Sequence, residues 1–218
     1  MLDFVYREKY GMSDLVEIMR LLRSEGGCPW DREQTHASIR RNLLEEAYEA
    51  AEAIDLGDGA LLCEELGDVL LQVVFHARME EEAGGFSIED VADGVCKKLI
   101  ERHPHIFGEV RADTAEQVLL NWDDIKRASK GQKQTADAMD SVARSLPALM
   151  RAEKIQDKAA KAGYDFSADE AMESGEVGDK LFLAVMEARE AGADPERELE
   201  RATDRFIERF RQTAQDDV

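Results

Sequence analysis

Residues 43–56, Leu43-Leu44-Glu45-Glu46-Ala47-Tyr48-Glu49-Ala50-Ala51-Glu52-Ala53-Ile54-Asp55-Leu56, lead through Gly57-Asp58-Gly59 into a second stretch that runs from Leu62 to Ala77. In the first stretch Leu43, Leu44, Ala47, Ala50, Ala51 and Ile54 recur at helical spacing, with Glu45, Glu46, Glu49 and Glu52 set away from the apolar centre. In the second, Leu62, Leu66, Val69, Leu70, Val73, Val74 and Ala77 form another helical stripe, which breaks at Gly84-Gly85. Two helices joined by a short glycine turn make an antiparallel hairpin, so residues equidistant from the turn lie level with each other. With the turn at Gly57, Glu49 stands opposite Glu65 and Glu46 opposite Asp68. Each pair is spaced three apart and projects from one face of its helix.

Four carboxylates around one small volume repel each other by roughly a kilocalorie per mole or more per pair unless a cation sits among them. Hard divalent cations take oxygen ligands, and Mg²⁺ characteristically uses a few carboxylates and leaves its other positions to water and substrate phosphate. A single acidic pair means little, since 48 acids in 218 positions produce about ten such pairs at spacing three by chance. The level pairing across a glycine turn, beside two uninterrupted apolar stripes, is what raises these four above a solvated face.

Outward from the hairpin the helical reading continues. Leu15, Ile18, Met19 and Leu22 form a short stripe that ends at Gly26-Gly27, ahead of Cys28-Pro29-Trp30-Asp31. A fourth helix runs from Ser87, an N-cap with Asp90 three residues on, through Val91, Val95, Leu99 and Ile100 to His103-Pro104. Nothing alternates with period two for long enough to build a sheet, so the fold class is all-α. After Trp122 the composition changes: residues 128–141 carry few large apolar groups and read as a linker, and a helical stripe of Leu146, Leu149, Ile155 and Ala159 resumes and ends at Gly163.

An internal repeat appears at an offset of 111 positions. Glu65-Leu66-Gly67-Asp68-Val69-Leu70 recurs as Glu176-Val177-Gly178-Asp179-Lys180-Leu181, and Ala77-Arg78 as Ala188-Arg189. The second copy is degenerate, because Gln156, Asp157 and Ala160 stand where the first has Glu45, Glu46 and Glu49. It is expected to keep only Glu176 and Asp179 and to lack the partner helix. The expected organisation is a catalytic domain over residues 12–127, a linker over 128–141 and a C-terminal repeat over 142–218 with an assembly role.

Charge and targeting narrow the function. Lys and Arg number 28 against 48 Asp and Glu, a net charge of −20, which repels nucleic-acid backbones and leaves no basic patch to bind them. No run approaches the ~20 apolar residues of a membrane span. The N-terminus has charges where a signal peptide needs its apolar stretch. Cys28, Cys63 and Cys96 are odd in number and widely spaced, which suits a reducing compartment. A soluble cytoplasmic protein is expected.

Leu44-Glu45-Glu46-Ala47-Tyr48-Glu49 followed by Glu65-Leu66-Gly67-Asp68 resembles the E-E-x-x-E and E-x-x-D signature of the MazG nucleoside triphosphate pyrophosphohydrolases. Cys28-Pro29-Trp30-Asp31 with Gln34-Thr35, Arg102-His103-Pro104-His105-Ile106-Phe107, Trp122-Asp123-Asp124-Ile125-Lys126 and Arg151-Ala152-Glu153-Lys154 also look like this family, in order along nearly the whole chain. The resemblance implies a helical bundle completed by dimerisation, in a homodimer or tetramer. It also implies Mg²⁺-dependent hydrolysis of nucleoside triphosphates to monophosphate and pyrophosphate, a chemistry that serves to clear non-standard or excess nucleotides. It places the metal, with Mn²⁺ as a substitute, on Glu46, Glu49, Glu65 and Asp68, and gives Glu45 a supporting part as ligand or water-orienting base.

Lys98 and Arg102, one turn apart, are candidates for the phosphates, or else helix-surface basics near a C-terminus. Trp30 is a candidate for stacking on the base, or else a core anchor. His103 and His105 read as capping or packing groups ahead of ligands, His36 and His76 as structural, and Phe75, Met79 and Phe86 as core. The related dUTP and phosphoribosyl-ATP hydrolases are enzymatic alternatives, although the Cys-Pro-Trp-Asp segment favours MazG. An acidic helical adaptor is the alternative of another class, but four repelling carboxylates are of no use to it.

Overall fold

A computed structural model describes residues 4–108, 114, 117, 139–164, 166 and 175–216. Residues 128–138 of the expected linker, Trp122 to Lys126, and Asp169, Glu170 and Glu173 lie outside the described residues. Every regular element among the described residues is a helix, as the all-α reading requires. The chain divides into two compact units, Met1–Leu119 and Leu120–Val218.

The first unit contains α1 (Met12–Arg23), α2 (Pro29–Glu33), α3 (Arg40–Leu56), α4 (Gly59–Glu82), α5 (Ile88–Arg102) and α6 (Pro104–Phe107). The hairpin of α3 and α4 is its axis, and its turn is built as expected. Gly57 takes the left-handed conformation at φ 67°, which a Cβ would strain, and its N–H closes on the Ile54 carbonyl. The Asp58 carboxylate then caps α4 by accepting from the N–H groups of Ala60 and Leu61 at 3.0 and 3.1 Å. Ser87 opens α5 with a full capping box: its hydroxyl accepts from Asp90 N–H at 3.2 Å while the Asp90 carboxylate takes the Ser87 N–H at 2.9 Å.

The core sits over the C-terminal half of α4, where Val74, Phe75 and Met79 pack with Met19 of α1 and Ile39 at the mouth of α3, flanked by Leu15, Val16, Leu71 and Ile88. Three helices and a loop converge there. The N-terminal half of α4 faces α3, and the stripes read from the sequence are only partly covered. Ala50 and Ala53 of α3 are buried, but Leu44, Ala47, Ala51 and Ile54 are exposed, as are Val91, Val95, Leu99 and Ile100 of α5. Phe86, expected in the core, is 45% exposed because it follows the Gly84-Gly85 break and lies outside both helices.

The second unit contains α7 (Ala148–Lys161), α8 (Val177–Glu190) and α9 (Pro195–Asp216). The expectation that the degenerate half lacks a partner helix is corrected: α7 packs on α8. The partner helix is the stripe that ends at Gly163. Gln156 of α7 is fully buried against α8 and donates to the Phe182 carbonyl at 2.8 Å. Asp194 opens α9 by accepting from the N–H of Glu196 at 2.9 Å.

Candidate functional site

The hairpin carries Glu46 and Glu49 from α3 towards Glu65 from α4, and one carboxylate oxygen from each lies within 4.8 Å of the others. Asp68 is outside that convergent trio, yet its charge bears on both Glu46 and Glu65. Burial, followed by the negative charges of Asp68 and Glu49, a hydrogen bond with Glu49 and the charge of Glu65, pushes the Glu46 carboxyl above its ordinary value. Burial, then Glu49, Asp68 and Glu64, does the same to Glu65. Each charge acting on these two groups is negative. Nothing among the charges that act on Glu46 and Glu65 offsets the mutual repulsion of the carboxylates, and a cation placed among them would.

The donor set is all carboxylate, converging from two rigid helices, so it fits a hard divalent ion and not a thiophilic one. Among the described residues no second group of this kind forms, and Glu176 and Asp179 build none. Glu45 is not in the trio, and its carboxylate accepts from Arg41 Nε at 2.7 Å in an exposed pair one turn apart. On α5 Lys98 is exposed and Arg102 half-buried. Trp30 is 59% exposed at the second position of α2, which removes it from the core.

The histidines at the end of α5 take the capping reading. His103 sits between α5 and α6 with Nδ1 2.6 Å from the Leu99 carbonyl, and its ring lies 5.6 Å from that of His105. One polar group was missed by the sequence reading. His36 and His76 stack at 5.0 Å with Nδ1 atoms 2.7 Å apart, and His36 Nε2 lies 3.0 Å from Glu80 Oε1. Burial and then His36 push the His76 imidazole below its ordinary value. Forty positions separate the two rings in sequence, and no local spacing announces the pair.

A model of the MazG nucleotide pyrophosphohydrolase domain matches residues 34–107, the span from the loop before α3 to the end of α6. The chain is 40% identical over 223 residues to the nucleoside triphosphate pyrophosphohydrolase of Escherichia coli (strain K12), an alignment that covers 91% of this chain and 85% of that one. It is 42% identical over 217 residues to the nucleoside triphosphate pyrophosphohydrolase/pyrophosphatase MazG of Thermotoga maritima, with 91% and 83% covered. With the nucleoside triphosphate pyrophosphohydrolase of Mycolicibacterium smegmatis it shares 45% identity over 152 residues, covering 69% of this chain and 46% of that protein.

Proposed function

Because the chain belongs to the MazG family of nucleoside triphosphate pyrophosphohydrolases, we propose that it hydrolyses nucleoside triphosphates to the monophosphate and pyrophosphate at a Mg²⁺ site made by Glu46, Glu49, Glu65 and Asp68. The observation that carries this reading is the trio of glutamate oxygens within 4.8 Å on facing helices, with only negative charges acting on Glu46 and Glu65. Divalent ions bound there supply charge neutralisation for the polyphosphate and an acidified water.

The protein side of the reaction is positioning. Water adds across the α–β anhydride: its oxygen joins one of the two phosphorus atoms, its proton is taken up at the carboxylate cluster, and the broken P–O bond leaves monophosphate and pyrophosphate. Glu45 assists as ligand or as the base that orients this water. Lys98 and Arg102 contact the phosphates from α5. Trp30 stacks on the base from α2, where its exposed face is free to receive it.

The catalytic domain is residues 12–127, residues 128–141 are the linker, and residues 142–218 are a repeat-derived unit that serves assembly. A second copy of the chain completes the bundle, and this explains why Leu44, Tyr48, Leu66, Val91, Val95 and Leu99 are left exposed along α3, α4 and α5. No helix among the described residues is long and apolar enough to cross a membrane; the nucleotides the protein works on are proposed to be cytoplasmic.

A nucleotide panel with Mg²⁺, scored separately for pyrophosphate and orthophosphate, tests the proposal. Pyrophosphate is the expected first product, and Glu46→Ala or Asp68→Ala reduces its release by at least about 100-fold, the loss expected when several kcal/mol of charge stabilisation disappear. Orthophosphate as first product, or full activity in both variants, sinks it.

A further inference from the structure

A large aromatic side chain left 59% exposed is ordinarily loosely held, yet the segment carrying Trp30 is tied down on every side. The chain reverses hard against the end of α1, where Cys28 N–H donates to the Leu22 carbonyl at 2.7 Å. A Cβ on Gly27 would sit 2.2 Å from the Leu22 carbonyl oxygen, so only glycine fits the reversal. Gln34 Nε2 donates to the Trp30 carbonyl at 2.9 Å, and Ser38 Oγ donates to Gln34 Oε1 at 2.8 Å.

Arg23 is the centre of this arrangement. Its side chain is only 8% exposed. Nη1 donates to the backbone carbonyl of Asp31 and, at 3.3 Å, to that of Gln34. Nε and Nη2 meet Glu82 Oε2 at 3.0 and 2.8 Å, and the guanidinium carbon lies 5.4 Å from the centre of the Phe75 ring. Arg78 Nε takes the other Glu82 oxygen at 2.9 Å. One planar fork therefore links the end of α1, the end of α4 and two carbonyls in the C-terminal half of α2 and at its cap, an arrangement that the single ammonium of a lysine cannot reproduce. Burial raises the Glu82 carboxyl, but the hydrogen bonds from Arg23 and Arg78 outweigh it and hold the group ionised as their counter-charge.

We propose that Arg23 is a positioning residue for substrate binding: through the Asp31 and Gln34 carbonyls it fixes the pose in which Trp30 receives the nucleobase. The proposal rests on the stacking role given to Trp30 above. Arg23 touches no reacting atom in this scheme, so its loss weakens binding of ground and transition states alike and appears in KM with kcat kept.

The experiment is a double-mutant cycle on the full-length protein with Mg²⁺ and a nucleoside triphosphate, reading kcat and KM for Trp30→Ala, Arg23→Lys and the pair together. Trp30→Ala raises KM about tenfold, the scale of one lost base–aromatic stack, with kcat within about twofold. Arg23→Lys raises KM by roughly half that or more, and adds nothing once Trp30 is gone. Glu82→Gln, which leaves the fork's shape but removes its counter-charge, gives a smaller increase with the same dependence on Trp30 and serves if the lysine variant does not fold. In a Trp122→Phe background, Arg23→Lys also lowers the steady-state anisotropy of the Trp30 emission.

Effects of Arg23→Lys and Trp30→Ala that multiply, or a loss confined to kcat, overturn the role of Arg23 while leaving Trp30 in place. An unchanged KM in Trp30→Ala overturns the stacking role itself, and this proposal with it.

Discussion

Two helix pairs in this chain have corresponding residue spacings and opposite electrostatics. Between α3 and α4, Glu46, Glu49 and Glu65 converge with no basic group among the charges acting on Glu46 and Glu65. Between α7 and α8 the positions 111 residues on from these three hold Asp157, Ala160 and Glu176, and Gln156 stands at the counterpart of Glu45. There the amide of Gln156 is absorbed by the Phe182 carbonyl, and Asp157 meets Arg189 Nη1 at 3.3 Å. The second pair gives the Gln156 amide nitrogen and Asp157 partners of their own, whereas no basic group is among the charges acting on Glu46 and Glu65 in the first. Carboxylates that converge without a basic partner attract a cation, and a carboxylate paired with an arginine attracts one less.

The largest effect expected from this contrast is on metal-dependent stability. Glu46 and Glu65 titrate above the ordinary 4.5 in the folded chain. Their contribution in metal-free protein is therefore fully present below that value and is lost as pH rises through the raised ones. Mg²⁺ at about 100 times its dissociation constant restores about 2.7 kcal/mol at neutral pH, a rise of roughly 5 °C or more in the melting temperature of the first unit. Calorimetry in buffers of different ionisation enthalpy then detects protons released on binding at mildly acidic pH. Heat and melting curves indifferent to Mg²⁺ and Mn²⁺, with nucleotide present, would remove the ion from the first cleft.

A smaller effect is expected from unbalancing the second cleft. Arg189→Gln strips Asp157 of its partner and lowers the stability of the second unit by about 1 kcal/mol, read by thermal melting, with kcat unchanged. A gain of Mg²⁺ binding in the second unit on this change would mean that Arg189 alone separates the two clefts.

The smallest effect is the most pointed. Glu176→Ala with Asp179→Ala removes the acids of the second copy that match Glu65 and Asp68 and leaves turnover within about twofold. A collapse of activity with the oligomer intact would move the catalytic site into the C-terminal half.

The first unit was largely legible before the structure. The stripes of α1, α3, α4 and α5 are local patterns, and Gly57, Asp58 and the Ser87–Asp90 box mark their ends by chemistry that acts over three or four residues. The hairpin arithmetic sets Glu49 opposite Glu65 and Glu46 opposite Asp68, and the structure brings Glu46, Glu49 and Glu65 together while Asp68 stays outside the trio. The second unit was misread in one respect, because acidic positions were used to look for the helix that pairs with α8. Packing is set by Gln156, Ala159 and Val185, which are buried whatever the charges beside them.

Amphipathic periodicity shows which face of a helix is apolar but not whether the same chain covers it. The apolar faces of α3 and α5 were visible in the sequence, and their exposure was not. Likewise the ring pair of His36 and His76 and the Arg23–Glu82 fork join residues 40 and 59 positions apart.

By itself the amino-acid order determined an all-helical chain, the hairpin and the acids that face each other across it, since each depends on spacing within a turn or two of helix. Only the tertiary structure decided that Trp30 is presented to solvent, that Arg23 is buried beneath its segment, and that α7 shields the second cleft's amide. Those outcomes depend on how helices cross, and a crossing is the sum of many weak contacts spread along the chain, of which no single stretch carries enough to be read alone.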